Sequence, residues 1–227
     1  MAKKLFITGT GTDVGKTFVT GLILKKLKES GRHAAYYKAA MSGNERRPDG
    51  SLIPGDAQHV KEFSGICQPL EQMCPYIYES AVSPHLASRT EGNPVQMDVV
   101  QKGFEQLCSQ YDYVTMEGSG GILCPICFDE SVIWLEDVIQ TLKLPCLIVA
   151  DAGLGTINQV VLTAEYLHTK KIPVKGIIFN RFHPGNMMEE DNLRMCEYRT
   201  GLKVLCCIPE DASVLPLDAA RLASLYE

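Results

Sequence analysis

Gly9-Thr10-Gly11-Thr12-Asp13-Val14-Gly15-Lys16-Thr17 is the stretch that decides how this chain is read. Before it, Lys4–Thr8 is a short apolar run that reads as a buried strand. After it, Thr17–Ser30 carries Phe18, Leu22, Leu24 and Leu27 near helical spacing and stops at Gly31. A strand, a glycine-rich turn ending in Gly-Lys-Thr, and then a helix form the context of a phosphate-binding loop. Backbone N–H groups and the helix N-terminus present positive ends to phosphate oxygens. Lys16 can reach the β- and γ-phosphates, and the Thr17 hydroxyl can ligate Mg²⁺. Gly11, Thr12, Asp13, Val14, Gly15, Lys16 and Thr17 are therefore the expected nucleotide-binding set. One departure is Thr10, which stands where the strict pattern has its first glycine. The competing reading is a bare connecting turn, and Gly-Lys-Thr set directly between strand and helix argues against it.

Outward from the loop, the chain alternates strand and helix. Expected strands are His33–Ala40, Tyr111–Glu117, Pro145–Asp151, Val174–Asn180 and Lys203–Ile208. Expected helices are Asp56 (as N-cap) to Ser64, Pro94–Gln110, Ile133–Lys143, Thr156–Lys171, Glu189–Thr200 and Pro216–Tyr226, with Gly43–Gly55 a loop. Apolar strands between helices predict an α/β fold, a mostly parallel sheet with helices on both faces. No linker separates two bodies, so the 227 residues read as one P-loop NTPase domain. Hydrophobic residues are 45% and charged residues 22%, which excludes a disordered chain. A net charge of −5 is unsuited to sequence-independent nucleic-acid binding, and no apolar run approaches a membrane span. The start, Met1-Ala-Lys-Lys, is not a signal peptide, and nine cysteines read as buried free thiols of a cytoplasmic protein. The pair Cys124-Pro-Ile-Cys127 lacks the second ligand pair of a zinc site.

In such folds ligands meet the carboxyl ends of the strands. The second strand ends Tyr37-Lys38-Ala39-Ala40-Met41-Ser42-Gly43, and the third ends Met116-Glu117-Gly118-Ser119-Gly120-Gly121. Between them lie Gly55-Asp56-Ala57 and Ser83-Pro84-His85. With GTGTDVGKT, the Gly153–Asn158 run GLGTIN and the strand-ending Asn180, this set resembles the dethiobiotin synthetases in order from Lys4 to about Pro209. Two features depart from that pattern. Ala39 stands where the family commonly has proline, and Phe128–Ser131 has no match and receives no role.

The resemblance implies ATP-dependent, Mg²⁺-dependent closure of a ureido ring on 7,8-diaminononanoate (7,8-diaminopelargonate) with CO2, a step of biotin synthesis. One amine forms a carbamate, the carbamate oxygen attacks the γ-phosphate, and the second amine displaces phosphate from the mixed anhydride. Lys16 and Lys38 flank the reacting groups. Thr12 and Ser42 donate hydrogen bonds, and Asp13 orients an amine or a metal-bound water. Thr17, Asp56 and Glu117 supply hard oxygen ligands to the metal. For Asp56 a helix cap is the alternative, and Asp151 rivals Glu117 as the metal-linked carboxylate. Gly118, Ser119 and Gly120 allow close backbone approach to substrate, with Glu117 and Gly118 also bordering the nucleotide. Asn180 is expected at the adenine with Pro209 nearby, and its alternative is a turn residue. Thr156, Ile157 and Asn158 hold the substrate carboxylate from the partner subunit of a homodimer. His85 is expected to begin a helix lining the substrate loop rather than to transfer a proton. Glu189-Glu190-Asp191 reads as a solvated helix start. A guanine-reading Asn-Lys-x-Asp is missing at Phe179-Asn180-Arg181-Phe182, so ATP is favoured over GTP. The rival reading is a partner-switching partition-type ATPase. It would carry a further lysine early in the loop, where Gly11 stands.

Overall fold

The computed structural model describes residues 2–227. In chain order the elements are β1 (Lys3–Gly9), α1 (Lys16–Glu29), β2 (Ala34–Lys38), β3 (Ala40–Met41), α2 (Gly55–Ser64), β4 (Tyr76–Ile77), α3 (Pro84–Thr90), α4 (Met97–Gln110), β5 (Tyr113–Glu117), β6 (Pro125–Phe128), β7 (Val132–Trp134), α5 (Leu135–Leu142), β8 (Cys146–Asp151), α6 (Thr156–Thr169), β9 (Val174–Asn180), α7 (Met187–Thr200), β10 (Val204–Ile208) and α8 (Ala219–Ala223). Six strands form one sheet in the order β10-β9-β8-β1-β5-β2, and every pairing within it is parallel. This is the α/β architecture expected from the alternation.

Alternate side chains of each central strand face opposite layers. Phe6, Ile148 and Phe179 are buried on one side with Phe104 of α4, Val138 of α5 and Leu167 of α6. Leu5, Ile7, Leu147 and Val149 are buried on the other with Leu22 and Ile23 of α1, Val60 of α2 and Leu222 of α8. A strand covered on both faces reads as a continuous apolar run, and LIVA at 147–150 does. Among the described residues no helix is long and apolar enough to cross a membrane.

Several elements depart from the sequence reading. The run His33–Ala40 is two strands: β2 ends at Lys38, and Ala40–Met41 turns away to pair with Tyr76–Ile77. Val132–Trp134 is a strand rather than the start of α5, and it closes an antiparallel hairpin with Pro125–Phe128. The unassigned residues after Phe128 are the turn of that hairpin. The last helix spans only Ala219–Ala223: Asp218 caps its start by accepting from Ala220 and Arg221 N–H, and it ends at Ser224 rather than Tyr226. α2 begins at Gly55 with Pro54 as N-cap, so Asp56 lies in the first turn and is not the cap. Glu189 is buried and not solvated. It accepts from the His183 N–H at 2.6 Å and from Asn186 Nδ2 at 3.0 Å, which ties down the loop before α7. All nine cysteines are free, but Cys67 is exposed and Cys108, Cys124 and Cys207 are only partly buried.

Candidate active site

The strand register builds the site. Glu117, last residue of β5, lies opposite Ile7 of β1 on one side and Lys38 of β2 on the other. The lysine and the carboxylate are thus brought to one point on the carboxyl edge of the sheet. The loop from Thr10 to Gly15 leaves the adjacent strand, and α1 begins at Lys16 behind Gly15. Gly15 is in the left-handed region, φ 88°, and a Cβ there would meet Asn180 Nδ2 at 2.0 Å. Only glycine serves at that position.

At the centre, Lys38 Nζ donates to Asp56 Oδ2 at 2.6 Å and to Glu117 Oε1 at 2.9 Å. Thr17 Oγ1 donates to Glu117 Oε1 at 2.9 Å and lies 3.4 Å from Asp56 Oδ1. Tyr36 donates to Glu117 Oε2 at 3.3 Å. The alternation of β2 puts Tyr36 and Lys38 on one face, while Tyr37 turns to the other and donates to the Val100 carbonyl. Burial opposes the charge on Lys38, but Glu117 and Asp56 outweigh it and raise its pKa. Burial likewise opposes ionisation of Asp56, yet Lys38 holds its carboxyl below the ordinary range. Lys16 is less well compensated. Its Nζ donates to the Gly11 carbonyl at 2.9 Å, and burial lowers its pKa against the pull of Glu117, with Lys38 adding to the fall. A buried ammonium of this kind gains from an anion.

These groups open on one cavity of about 1050 Å³. Of the residues expected from sequence, Thr12, Asp13, Gly15, Lys16, Thr17, Lys38, Ser42, Asp56, Glu117, Ser119 and Gly120 line it. Gly11 and Val14 do not line it; the Gly11 carbonyl accepts from Lys16 Nζ, and the Val14 side chain is buried in the core. Gly118 packs against Phe6 and Leu135, where a Cβ would come within 2.9 Å of each, and its N–H donates to the Ile7 carbonyl. That donor is therefore taken by the sheet. Asn180 is buried at the end of β9; its Nδ2 donates to the Val14 carbonyl at 3.1 Å and its Oδ1 has no partner. Pro209 follows β10, the strand beside it. Thr156, Ile157 and Asn158 open α6 and do not line the cavity. Asp151, the rival carboxylate, accepts from Arg181 Nη1 at 2.5 Å and from the Gly153 N–H at 2.9 Å, away from the Thr17 cluster. His85 accompanies a helix start as expected, with Pro84 in the first turn and Ser83 Oγ 2.9 Å from its Nδ1.

The donor set suits Mg²⁺. Among the described residues no group of three His, Cys, Asp or Glu side chains forms a metal cluster. Two carboxylates beside a hydroxyl are the sparse, hard-oxygen set of a Mg²⁺ that takes its remaining ligands from phosphates and water.

The model of a family described as an AAA domain matches residues 3–216. The chain is 45% identical to the ATP-dependent dethiobiotin synthetase BioD of Brachyspira hyodysenteriae (strain ATCC 49526 / WA1), covering 100% of both chains. It is 44% identical to that of Clostridium botulinum (strain Loch Maree / Type A3), covering 100% of this chain and 99% of that one. The chain belongs to the ATP-dependent dethiobiotin synthetase family. Solved structures add the fold alone. MinD in the MinC:MinD complex of Aquifex aeolicus matches with TM-score 0.55 at 15% identity, covering 99% of this chain and 86% of that one. A ParA family ATPase from Chlorobium tepidum TLS matches with TM-score 0.54 at 14% identity, covering 93% and 86%. The partition-type rival therefore shares the scaffold, while full-length sequence similarity lies with the synthetases.

Three members of the site were not read from the sequence of this synthetase-family chain. Tyr36 was legible from strand alternation with Lys38. Asn44 is buried, accepts from the Gly55 N–H at 2.9 Å and donates to the Met41 and Tyr78 carbonyls, so it fixes the start of α2 that carries Asp56. It sits in a loop with no periodic signal. Arg181 lines the cavity, and its place directly after a strand end was the signal.

Proposed function

We propose that this cavity joins CO2 to the two amines of 7,8-diaminononanoate at the expense of ATP, forming the ureido ring of dethiobiotin in biotin biosynthesis. The observation that carries the reading is the meeting of the P-loop Lys16 with Lys38, Asp56 and Glu117 in one cavity of a chain that is similar to the synthetases along its whole length. ATP lies with its phosphates over the loop, and its adenine meets Asn180, whose buried Oδ1 lacks a donor. Thr17, Asp56 and Glu117 would hold Mg²⁺, which neutralises polyphosphate charge and orients it.

The protein's own groups do the rest by placement and charge. One amine adds to CO2 to give a carbamate. Lys38, freed from one of its two carboxylates, and Lys16 flank the carbamate and the γ-phosphate and hold the developing negative charge. Thr12 and Ser42 donate hydrogen bonds to the same oxygens. Asp13, at the loop tip, accepts from the amine that closes the ring. The carbamate oxygen takes the γ-phosphoryl group, ADP leaving, and the second amine then attacks the carbamoyl carbon to close the ring, so that phosphate leaves with an oxygen that came from CO2.

The substrate carboxylate is held by a second subunit, at the start of α6. In support, Asn158 is exposed in the first turn of the 14-residue α6, where backbone N–H groups favour an anion.

The test is ADP release with Mg²⁺, with and without the diamine plus bicarbonate. The proposal expects turnover only with both present, and loss on EDTA. Basal hydrolysis indifferent to the diamine would contradict it.

A further inference from the structure

The nucleotide reading uses Asn180 and leaves the next residue without a role. Arg181 leaves the end of β9 in the left-handed region, φ 54°, a conformation that non-glycine residues adopt rarely. Its side chain turns back over the carboxyl edge of the sheet. Nη1 donates to Asp151 Oδ2 at 2.5 Å, and Nη2 donates to the main-chain carbonyl of Asp13. Asp151 is itself fixed, because its other oxygen accepts from the Gly153 N–H. One residue earlier, Asn180 holds the Val14 carbonyl. Two consecutive side chains at the end of β9 thus hold two consecutive carbonyls of the P-loop. The held segment is the conformationally unusual part of the loop, with Asp13 at φ 59° and Gly15 at φ 88°. A loop in that state needs outside ties to stay preformed, and a guanidinium offers two donors in a fixed fork where an ammonium offers a point charge.

We propose that Arg181 is a positioning residue for the nucleotide, clasping the tip of the P-loop to the end of β8 so that Asp13–Gly15 keeps its phosphate-receiving shape. The inference rests on the nucleotide reading above. It assigns the affinity for phosphate in part to a side chain outside the loop. It also requires the Arg181–Asp151 pair to be more than a surface ion pair, which by itself would contribute little.

The test is calorimetric titration of Mg²⁺ and ADP into the native chain, Arg181→Lys, Arg181→Met, Asp151→Asn and the double variant Arg181→Met/Asp151→Asn. Loss of the clasp should raise the ADP Kd by about tenfold in Arg181→Met, as expected for charge-assisted hydrogen bonds. Arg181→Lys should bind nearly as weakly, because lysine keeps the charge and loses the fork. Asp151→Asn should give a smaller rise, and the double variant should be no weaker than Arg181→Met, since both act through one clasp. Native affinity in Arg181→Lys would assign the effect to charge alone and overturn the proposal. An ADP Kd within twofold of native in Arg181→Met would overturn it too. So would a nucleotide-free melting temperature lowered by more than about 5 °C in Arg181→Met, which would make the arginine a support of the fold. If the native chain bound no ADP, the nucleotide reading would fall together with this one; native binding matched by the variants would remove this one alone.

Discussion

The two cavity lysines are not equivalent, although they are the same residue type within one site. Lys38 lies between Glu117 and Asp56, whose attraction exceeds the cost of burial, and its stabilising contribution is present below the ordinary 10.5 and is lost only as pH rises through its raised folded value. Asp56 behaves in mirror fashion: its contribution is present above the ordinary 3.8 and is lost as pH falls through its lowered value. Lys16, lowered by burial, loses its proton first as pH rises. ADP affinity should therefore weaken on the alkaline side below pH 10.5 in the native chain and stay flat in Lys16→Arg, measured by titration at several pH values. Each of Lys16→Ala and Lys38→Ala should fold and lose about 10²–10³ in turnover, the effect of removing one preorganised charge-stabilising donor. Near-native turnover in Lys38→Ala would remove it from the mechanism. Most of this site was readable residue by residue, because Lys16, Thr17, Lys38 and Glu117 sit at strand and helix ends that the apolar pattern marks. Asn44 was not, since its role is hydrogen bonds to backbone brought close only by folding, and Arg181 offered only its place directly after a strand end.

Among the elements, the sheet and its covering helices followed from periodicity, and what failed was short. The pair Ala40–Met41 with Tyr76–Ile77 and the hairpin Pro125–Trp134 are runs of two to four residues, below the length at which alternation is informative. Ile133 and Trp134 of β7 fall within the helix expected over Ile133–Lys143 because apolar residues continue into Leu135 and Val138. The start expected at Pro216 is three residues early because Asp218 caps α8 at its N-terminus. The element most constrained by the ligand is the turn from loop to α1. Gly15→Ala puts a Cβ 2.0 Å from Asn180 Nδ2 at φ 88°. It should cost about 1–3 kcal/mol in backbone strain alone and abolish ADP binding. Gly11→Ala, whose Cβ meets nothing within 4 Å, should keep native stability. Denaturant unfolding and ADP titration of the two variants check this, and equal behaviour of the pair would contradict it.

Over the whole molecule, a chain of net charge −5 brings Lys16, Lys38 and Arg181 to one cavity together with Asp13, Asp56 and Glu117, so anion binding there rests on the least compensated cation, Lys16, and on the N–H groups of the loop. The proposed dimer makes each site composite and can be tested by complementation. Lys16→Ala and Asn158→Asp should each be inactive alone, the second because its added carboxylate repels that of the substrate. In a mixed dimer one site carries both defects and the other carries neither, as an isologous interface requires. Subunit exchange should restore about half the activity of a native dimer per mixed dimer. No recovery after verified exchange would place the carboxylate within one subunit. The central claim is that CO2 becomes a carbamate whose oxygen attacks ATP at this cavity, and isotope transfer reads it directly. The protein is given diamine, ATP, Mg²⁺ and ¹⁸O-bicarbonate in unlabelled water, for a time shorter than exchange of the label with solvent. The released phosphate should then carry ¹⁸O, one atom per ring formed. Product formed with unlabelled phosphate, or phosphate released without ring, would contradict it.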